Sequence, residues 1–412
     1  MSCFFFKGKS KSKQKAESAR QLEKRDEDES SGASNRRVNS PSSMPSTTRS
    51  IEELYREKEH VLRIFSYDEL KEATDGFRRS LLIGEGGFGS VYKGTLRPAD
   101  GRGNPLVVAI KKLHSRSVQG YKEWLSEVQF LCVVNHPNLV KLLGYSSVEN
   151  ERGVQLLLVY EYMANKSLDD HLFCTTKPPI PWKKRLEIIL GAAQGLAYLH
   201  EGMEVKVIFR DFKPSNVLLD EDFTAKLSDF GMAREGPVGD HTHVTTRIVG
   251  TYGYAAPEYL KTGHLTIHSD IWPLGVVLYE ILTGRRAVDR NLPVNEQKLL
   301  DWVKGFPVDS RKFNMMIDQK IRNQCSISSA KKVARLADMC LNKNPGERPM
   351  MGQIIMALEE ALRDCEADNS SMGVNVVVGS PSSRGVNGVG FPSSSTVIKA
   401  GNPRGQKKIV SY

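Results

Sequence analysis

The sequence predicts an α+β fold in two lobes, a small β-rich lobe first and a larger α-rich lobe after it, with a cleft between them. Three observations carry this expectation. Short apolar runs, Leu106-Val107-Val108-Ala109-Ile110 and Leu156-Leu157-Leu158-Val159-Tyr160, have the length and composition of buried strands. Between them Tyr121, Trp124, Leu125, Val128, Leu131 and Cys132 recur at helical spacing, one face of a single amphipathic helix. After Asp169 helical patterns dominate: Leu186 to His200 is apolar almost all round, and Val276 to Leu282 behaves the same way. Near the end, Met351, Ile354, Ile355, Leu358 and Leu362 keep helical spacing behind Pro349, which a first helical turn tolerates.

The ends read differently. From Lys7 to about Arg49 large apolar residues are almost missing, so the chain there cannot bury enough surface to offset its entropy. Residues 1–60 are expected to form a disordered basic arm and residues 367–412, rich in Gly, Ser, Pro and Val, a disordered tail. The folded domain is then placed at residues 76–362 of the 412. Part of the net charge of +10 sits in the arm, where Lys7, Lys9, Lys11, Lys13 and Lys15 precede the first acid, Glu17. That points to an anionic membrane surface; no basic stripe interleaved with aromatics appears elsewhere, so nucleic acid is not an expected partner. The 6 cysteines have no metal-ligand spacing, and no apolar run suits a signal peptide or membrane span, which predicts a reducing intracellular setting.

Gly84-Glu85-Gly86-Gly87-Phe88-Gly89-Ser90-Val91 lies between the strand-like runs Leu81-Leu82-Ile83 and Val91-Tyr92-Lys93. A glycine loop flanked by strands suits a flap over a triphosphate, because backbone N–H groups can approach the oxygens where side chains are missing. Lys111, at the end of the run Val107 to Ile110, can place an ammonium under the phosphates. Glu127, on the amphipathic helix one position before Val128, is the expected ion-pair partner. Phe209-Arg210-Asp211-Phe212-Lys213-Pro214-Ser215-Asn216, then Val217-Leu218-Leu219, then Ser228-Asp229-Phe230-Gly231 supply the rest of a phosphoryl-transfer site. Asp211 is suited to orient a hydroxyl nucleophile, and Asn216 and Asp229 to hold Mg²⁺ against phosphates.

These segments resemble the signature elements of protein kinases, with Tyr254-Ala255-Ala256-Pro257-Glu258 and Asp270-Ile271-Trp272-Pro273-Leu274-Gly275 following in order. The resemblance implies ATP as donor, Mg²⁺ as metal with Mn²⁺ as a substitute, protein Ser/Thr hydroxyls as acceptors, and a buried Glu258–Arg348 ion pair. It implies an ATP site from Ile83, Gly84, Glu85, Gly86, Gly87, Phe88, Gly89, Val91, Ala109, Lys111, Glu161 and Met163, with Tyr160 as gatekeeper. Leu131, Phe209 and Phe230 would stack as an apolar spine. Lys213, two positions after Asp211, is similar to the lysine of serine/threonine kinases that contacts the transferred phosphate. Phe65-Ser66-Tyr67-Asp68-Glu69-Leu70 and Gly250-Thr251-Tyr252-Gly253-Tyr254 resemble plant receptor-like kinases, and with no ectodomain the chain resembles a receptor-like cytoplasmic kinase of subfamily VII. That implies an upstream membrane receptor kinase, protein substrates, and a role in immune or developmental signalling.

Several positions depart from or refine the pattern. Phe209 stands where kinases most often have histidine. Arg210 is retained and can bind an activation-loop phosphate, with Thr245 and Thr246 as candidate phosphosites and Thr251 as a contact beside the substrate. Pro273 falls in the expected central helix, at a cost to stability unless it lies in the first turn. Ser2 excludes myristoylation, whereas Cys3 is a candidate palmitoylation site that would hold the protein at the cytoplasmic face of the plasma membrane. The competing reading is a membrane scaffold that keeps the fold without catalysis.

Overall fold

In a computed structural model, which describes residues 49–86, 89–97, 103–114, 118–150, 153–239 and 241–372, the first lobe is built on one sheet. The chain enters through α1 (Ile51–Lys58), β1 (Arg63–Ile64) and α2 (Tyr67–Ala73). β2 (Leu82–Gly86), β3 (Gly89–Leu96), β4 (Leu106–Leu113), α3 (Val118–Val133), β5 (Leu142–Asn150) and β6 (Gly153–Glu161) follow. The sheet has 6 strands in the order β1-β5-β6-β4-β3-β2, antiparallel except where β1 meets β5.

The unbroken apolar run in β6 is explained by what covers each face. Leu156 and Leu158 join the cluster that contains Trp124 and Val128 of α3. Leu157 and Val159 join Val108, Ile110, Phe65 and Leu70, roofed by Tyr67 and Phe77. A strand covered on both sides needs no polar alternation. Gly144 lets β1 in: a Cβ there would lie 1.9 Å from the Arg63 carbonyl oxygen.

The second lobe holds α4 (Leu168–Leu172) and α5 (Trp182–Ala197), then β7 (Val207–Ile208), β8 (Val217–Leu219), β9 (Ala225–Leu227), β10 (Arg234–Glu235) and β11 (Val244–Thr245). It continues with α6 (Pro257–Thr262), β12 (His264–Leu265), α7 (His268–Thr283), α8 (Leu299–Trp302), α9 (Phe313–Met316), α10 (Ile327–Cys340) and α11 (Met351–Met372). β8 pairs with β9, β7 with β10, and β11 with β12. α7 is the core, buried from Ser269 to Thr283 except at Trp272. α10 packs on α7 and α11, and α11 on α5. No helix among the described residues is long and apolar enough to cross a membrane.

Several sequence expectations need correction. α1 lies inside the stretch assigned to the disordered arm. Ser50 and Glu53 form a capping box, and Ile51 and Leu54 are buried against the first lobe. Ile51, Leu54 and Tyr55 span a single turn in an otherwise polar run, too short a stretch to stand out as periodicity. At the other end α11 runs through Met372, beyond the expected domain limit at residue 362 and into the expected tail, with Cys365 buried at 1% exposure. That helix starts at Met351, so Pro349 precedes it. Pro273 lies past the first turn of α7, which begins at His268, and the helix continues through it despite the missing N–H.

Arg348 and Glu258 meet as expected, with bonds of 2.8 and 2.6 Å, and Arg348 also donates to the His268 and Asn342 carbonyls at 2.8 and 2.9 Å. Removing the guanidinium strands three acceptors around a fully buried side chain. Arg348→Met is therefore expected to lower stability by about 3 kcal/mol, read as a lower urea midpoint with an unchanged slope.

Candidate active site

The glycine-rich segment is the turn between β2 and β3, with Gly84 opposite Val91 and Gly86 opposite Gly89. Gly87 and Phe88, at its tip, lie outside the described residues. Gly89 has a structural duty as well, since a Cβ there would sit 2.3 Å from the Lys112 carbonyl oxygen of β4. Beneath the hairpin, Ala109 is half-buried between Lys93 of β3 and Tyr160 of β6. Glu161 and Met163 form the connection to the second lobe. The Glu161 carboxylate accepts from the Lys141 N–H at 2.8 Å and pairs with Lys226 at 3.2 Å, so its side chain is engaged within the protein.

Lys111 stands inside β4, between Val91 and Leu158, rather than at the strand end the sequence suggested. Its ammonium pairs with Glu127 of α3 and donates to Asp229 Oδ1 at 3.1 Å. Glu127 is itself 1% exposed, deeper than the helix edge where periodicity placed it. Its second oxygen accepts from the Tyr160 hydroxyl, a contact that an apolar reading of Tyr160 missed. Burial alone would lower the Lys111 pKa, but the Asp229 and Glu127 carboxylates outweigh it and hold the ammonium charged. Asp229 experiences the same cluster from the other side: burial opposes its charge, and Lys111 and Lys213 keep its pKa below the ordinary value.

The segment around Asp211 is pinned from below. The Asp270 carboxylate of α7 accepts from the N–H groups of Phe209 and Arg210, both at 2.7 Å, and meets His200 Nε2 at 2.8 Å. This holds Arg210 at φ +72, a conformation that the surroundings must enforce. Asp211, 3% exposed, accepts from Lys213 Nζ at 2.5 Å and from the Thr251 hydroxyl at 2.7 Å. Asn216 directs its amide N–H to the Asp211 backbone oxygen at 2.9 Å and to its carboxylate at 3.1 Å, which turns the Asn216 side-chain oxygen away from Asp211. Ser228 N–H bonds the Asn216 carbonyl at 2.9 Å and so ties Asn216 to the Asp229 segment. Asp229 is also left-handed, at φ +69. Asp229 and Asn216 supply hard oxygen donors of the kind Mg²⁺ accepts when phosphates and water complete its shell.

Phe209 and Phe230 pack edge to face at 5.2 Å, in one apolar cluster with Leu131. The family model "Protein tyrosine and serine/threonine kinase" matches residues 78–358. The chain belongs to the serine/threonine protein kinases, as a plant receptor-like cytoplasmic kinase of subfamily VII. It is 54% identical to the probable serine/threonine-protein kinase PBL20 of Arabidopsis thaliana, over 82% of this chain and 86% of that one. It is 49% identical to the serine/threonine-protein kinase PCRK1 of the same plant, over 83% and 82%. Against receptor-like cytoplasmic kinase 176 of Oryza sativa subsp. japonica the identity is also 49%, over 80% and 82%.

Not every expected residue of this kinase comes together. Arg210 donates to the Met232 and Arg247 carbonyls at 3.2 and 3.0 Å and to the Tyr259 hydroxyl at 2.5 Å, while its buried Nε has no partner among the described residues. Thr245 is exposed on β11 and Thr246 half-buried just after it; neither bonds Arg210 among the described residues. Cys3 lies outside those residues. Sequence reasoning missed Glu123, one helical turn before Glu127. It is 5% exposed and bonded by Gln119 at 2.9 Å.

Burial pushes the Glu123 carboxyl from its ordinary value of 4.5 up to about 7. Between those two pH values the folded kinase keeps a proton that the unfolded chain has released, so this group's contribution to stability is lost as pH rises through the window. In Glu123→Gln that part of the slope should vanish, seen as urea midpoints that differ less between acid and neutral pH than in the parent.

Proposed function

We propose that this kinase is a relay that transfers the γ-phosphate of ATP to protein Ser/Thr hydroxyls under the control of a membrane receptor kinase. The observation that carries the control is the half-buried Arg210 side chain, whose buried Nε has no partner among the described residues, whose other nitrogens donate to the Met232 and Arg247 carbonyls of the activation segment, and which lies close enough to Arg234 to disfavour that residue's charge. Burial lowers the Arg234 pKa first and Arg210 adds to it. Two cations with too few anions are a ready site for a phosphate on Thr245 or Thr246, which an upstream kinase would add.

The contacts within the site and the likeness to kinases support the following roles. Lys111 holds the α- and β-phosphates, kept in place by Glu127, while Ile83, Val91 and Ala109 enclose the adenine and the Glu161 to Met163 backbone binds its edge. The glycine segment from Gly84 to Gly89 covers the triphosphate with backbone donors. Mg²⁺, when bound at Asp229 and Asn216, neutralises charge developing on the phosphates. Asp211 orients the acceptor hydroxyl and takes its proton; Lys213 moves from Asp211 toward the transferred phosphate as negative charge builds there. Thr251 holds Asp211 from the substrate side.

The arm carries the location. Cys3 acylation, with Lys7 to Lys15 on an anionic leaflet, would keep the kinase at the cytoplasmic face of the plasma membrane, beside the receptors whose signal it passes on. The likeness to receptor-like cytoplasmic kinases supports this setting, and immune signalling is one pathway it would serve.

Labelled γ-phosphate transfer from ATP/Mg²⁺ to a basic protein tests the assignment. Asp211→Asn should lower transfer by about 10²- to 10⁴-fold with little change in the KM for ATP. Thr245→Ala with Thr246→Ala should leave the unstimulated rate in place and remove the rise produced by a loop-phosphorylating partner.

A further inference from the structure

α1 precedes the catalytic domain and belongs to none of its motifs, yet it touches both parts of the site that must stay in register. Ile51 and Leu54 are 2% and 7% exposed, in the same apolar cluster as Val128 and Leu131 of α3. At the far end Lys58 Nζ donates to the Val133 carbonyl and the Cys132 thiol to the Lys58 carbonyl, both at 3.3 Å, so α1 lies against the helix that carries Glu127. At its near end the Ile51 N–H donates at 2.8 Å to Glu235 Oε1 on β10, in the segment that begins at Asp229. Glu235 thus satisfies one of the N–H groups that a helix start leaves without a partner, and places a negative charge where the helix dipole favours it.

α3 is fastened to the same segment from inside. The Ser126 hydroxyl donates to the Phe230 carbonyl at 3.2 Å, and a Cβ on Gly231 would meet Glu123 at 3.3 Å and Glu127 at 3.4 Å. α1, α3 and the Asp229 to Glu235 segment therefore close a ring of contacts that includes the helix carrying Glu127 and the segment carrying Asp229, the two partners of Lys111. Arg49 adds exposed ion pairs to Glu57 and Glu204, which water screens and which contribute little.

We infer that α1 is a positioning element of the kinase reaction: Ile51 and Leu54 hold α3, and through it Glu127, while Glu235 ties the same helix to the start of the activation segment. This rests on the proposed role of Glu127 in fixing Lys111. A helix that only covered apolar surface would add stability without changing how the enzyme handles ATP. A positioning helix changes the fraction of molecules in which Glu127 reaches Lys111, and kcat/KM for ATP falls in proportion to that fraction.

The test uses the full chain carrying Leu54→Asp, with Leu54→Met as the conservative control and Glu235→Ala as a second disruption at the other end. Each variant is assayed for kcat and KM with ATP and for amide hydrogen exchange along α3. Leu54→Asp is expected to lower kcat/KM for ATP by about tenfold if one molecule in ten keeps the pair, with faster exchange in α3, while Leu54→Met stays near the parent. Glu235→Ala should shift both readouts in the same direction by a smaller factor. If Leu54→Asp does not fold, Glu235→Ala decides. A folded variant whose kcat/KM stays within about twofold of the parent, with α3 exchange unchanged, overturns the inference. Glu127→Gln is measured alongside: if it is silent while α3 exchange responds to Leu54→Asp, the role given to Glu127 fails and the docking of α1 does not.

Discussion

Lys111 connects three parts of the chain that no local pattern links: β4, on which it sits, α3 through Glu127, and the segment after β9 through Asp229. Each of its partners is a buried or half-buried carboxylate that is costly without a cation nearby. The small-lobe sheet, α3 packed on it and the Asp229 segment of the large lobe must therefore be assembled together. Tyr160 closes the arrangement by donating its hydroxyl to Glu127 from β6. The same pair that stabilises the folded site holds the lysine to which the proposed mechanism assigns the phosphates, so in that mechanism the fold and the chemistry depend on one set of charges.

The large lobe solves a related problem with a different anchor. The Asp211 segment has to be rigid, and short loops are not rigid by themselves. α7, buried over nearly its whole length, extends one carboxylate, Asp270, to two successive backbone N–H groups and a histidine. The strained backbone at Arg210 is the visible cost of holding Asp211 in place. Thr251 and Lys213 then fix its side chain, and Glu258 with Arg348 fixes the activation segment to the lobe behind it.

The parts legible in the sequence were those that repeat or cluster locally. β4 and β6 showed as apolar runs, α3, α5 and α7 as helical patterns, and Asp211, Asn216 and Asp229 as a dense polar group beside apolar strands. Lys111 and Glu127 could be paired from their places on a strand and a helix, whereas the pairing of Glu258 with Arg348 came only with the family resemblance. What stayed hidden depends on tertiary contact. α1 has one apolar turn, Ile51, Leu54 and Tyr55, and makes sense only against α3. The end of α11 is polar in composition and is helical because Cys365 finds the core. Lys111 looked like the end of a strand because Lys111 and Lys112 interrupt the apolar run, whereas pairing with β3 and β6 carries the strand on to the buried Leu113. Tyr160 reads as apolar until Glu127 is placed beside its hydroxyl.

The most direct test of the dependence on Lys111 is a double-mutant cycle between Lys111→Met and Glu127→Gln, read as kcat/KM for ATP. If Glu127 acts by holding Lys111, it has nothing to hold once the lysine is gone, and adding Glu127→Gln to Lys111→Met should cost less than about threefold. A second loss as large as that of Glu127→Gln alone would mean that the two residues act independently, and would contradict the account.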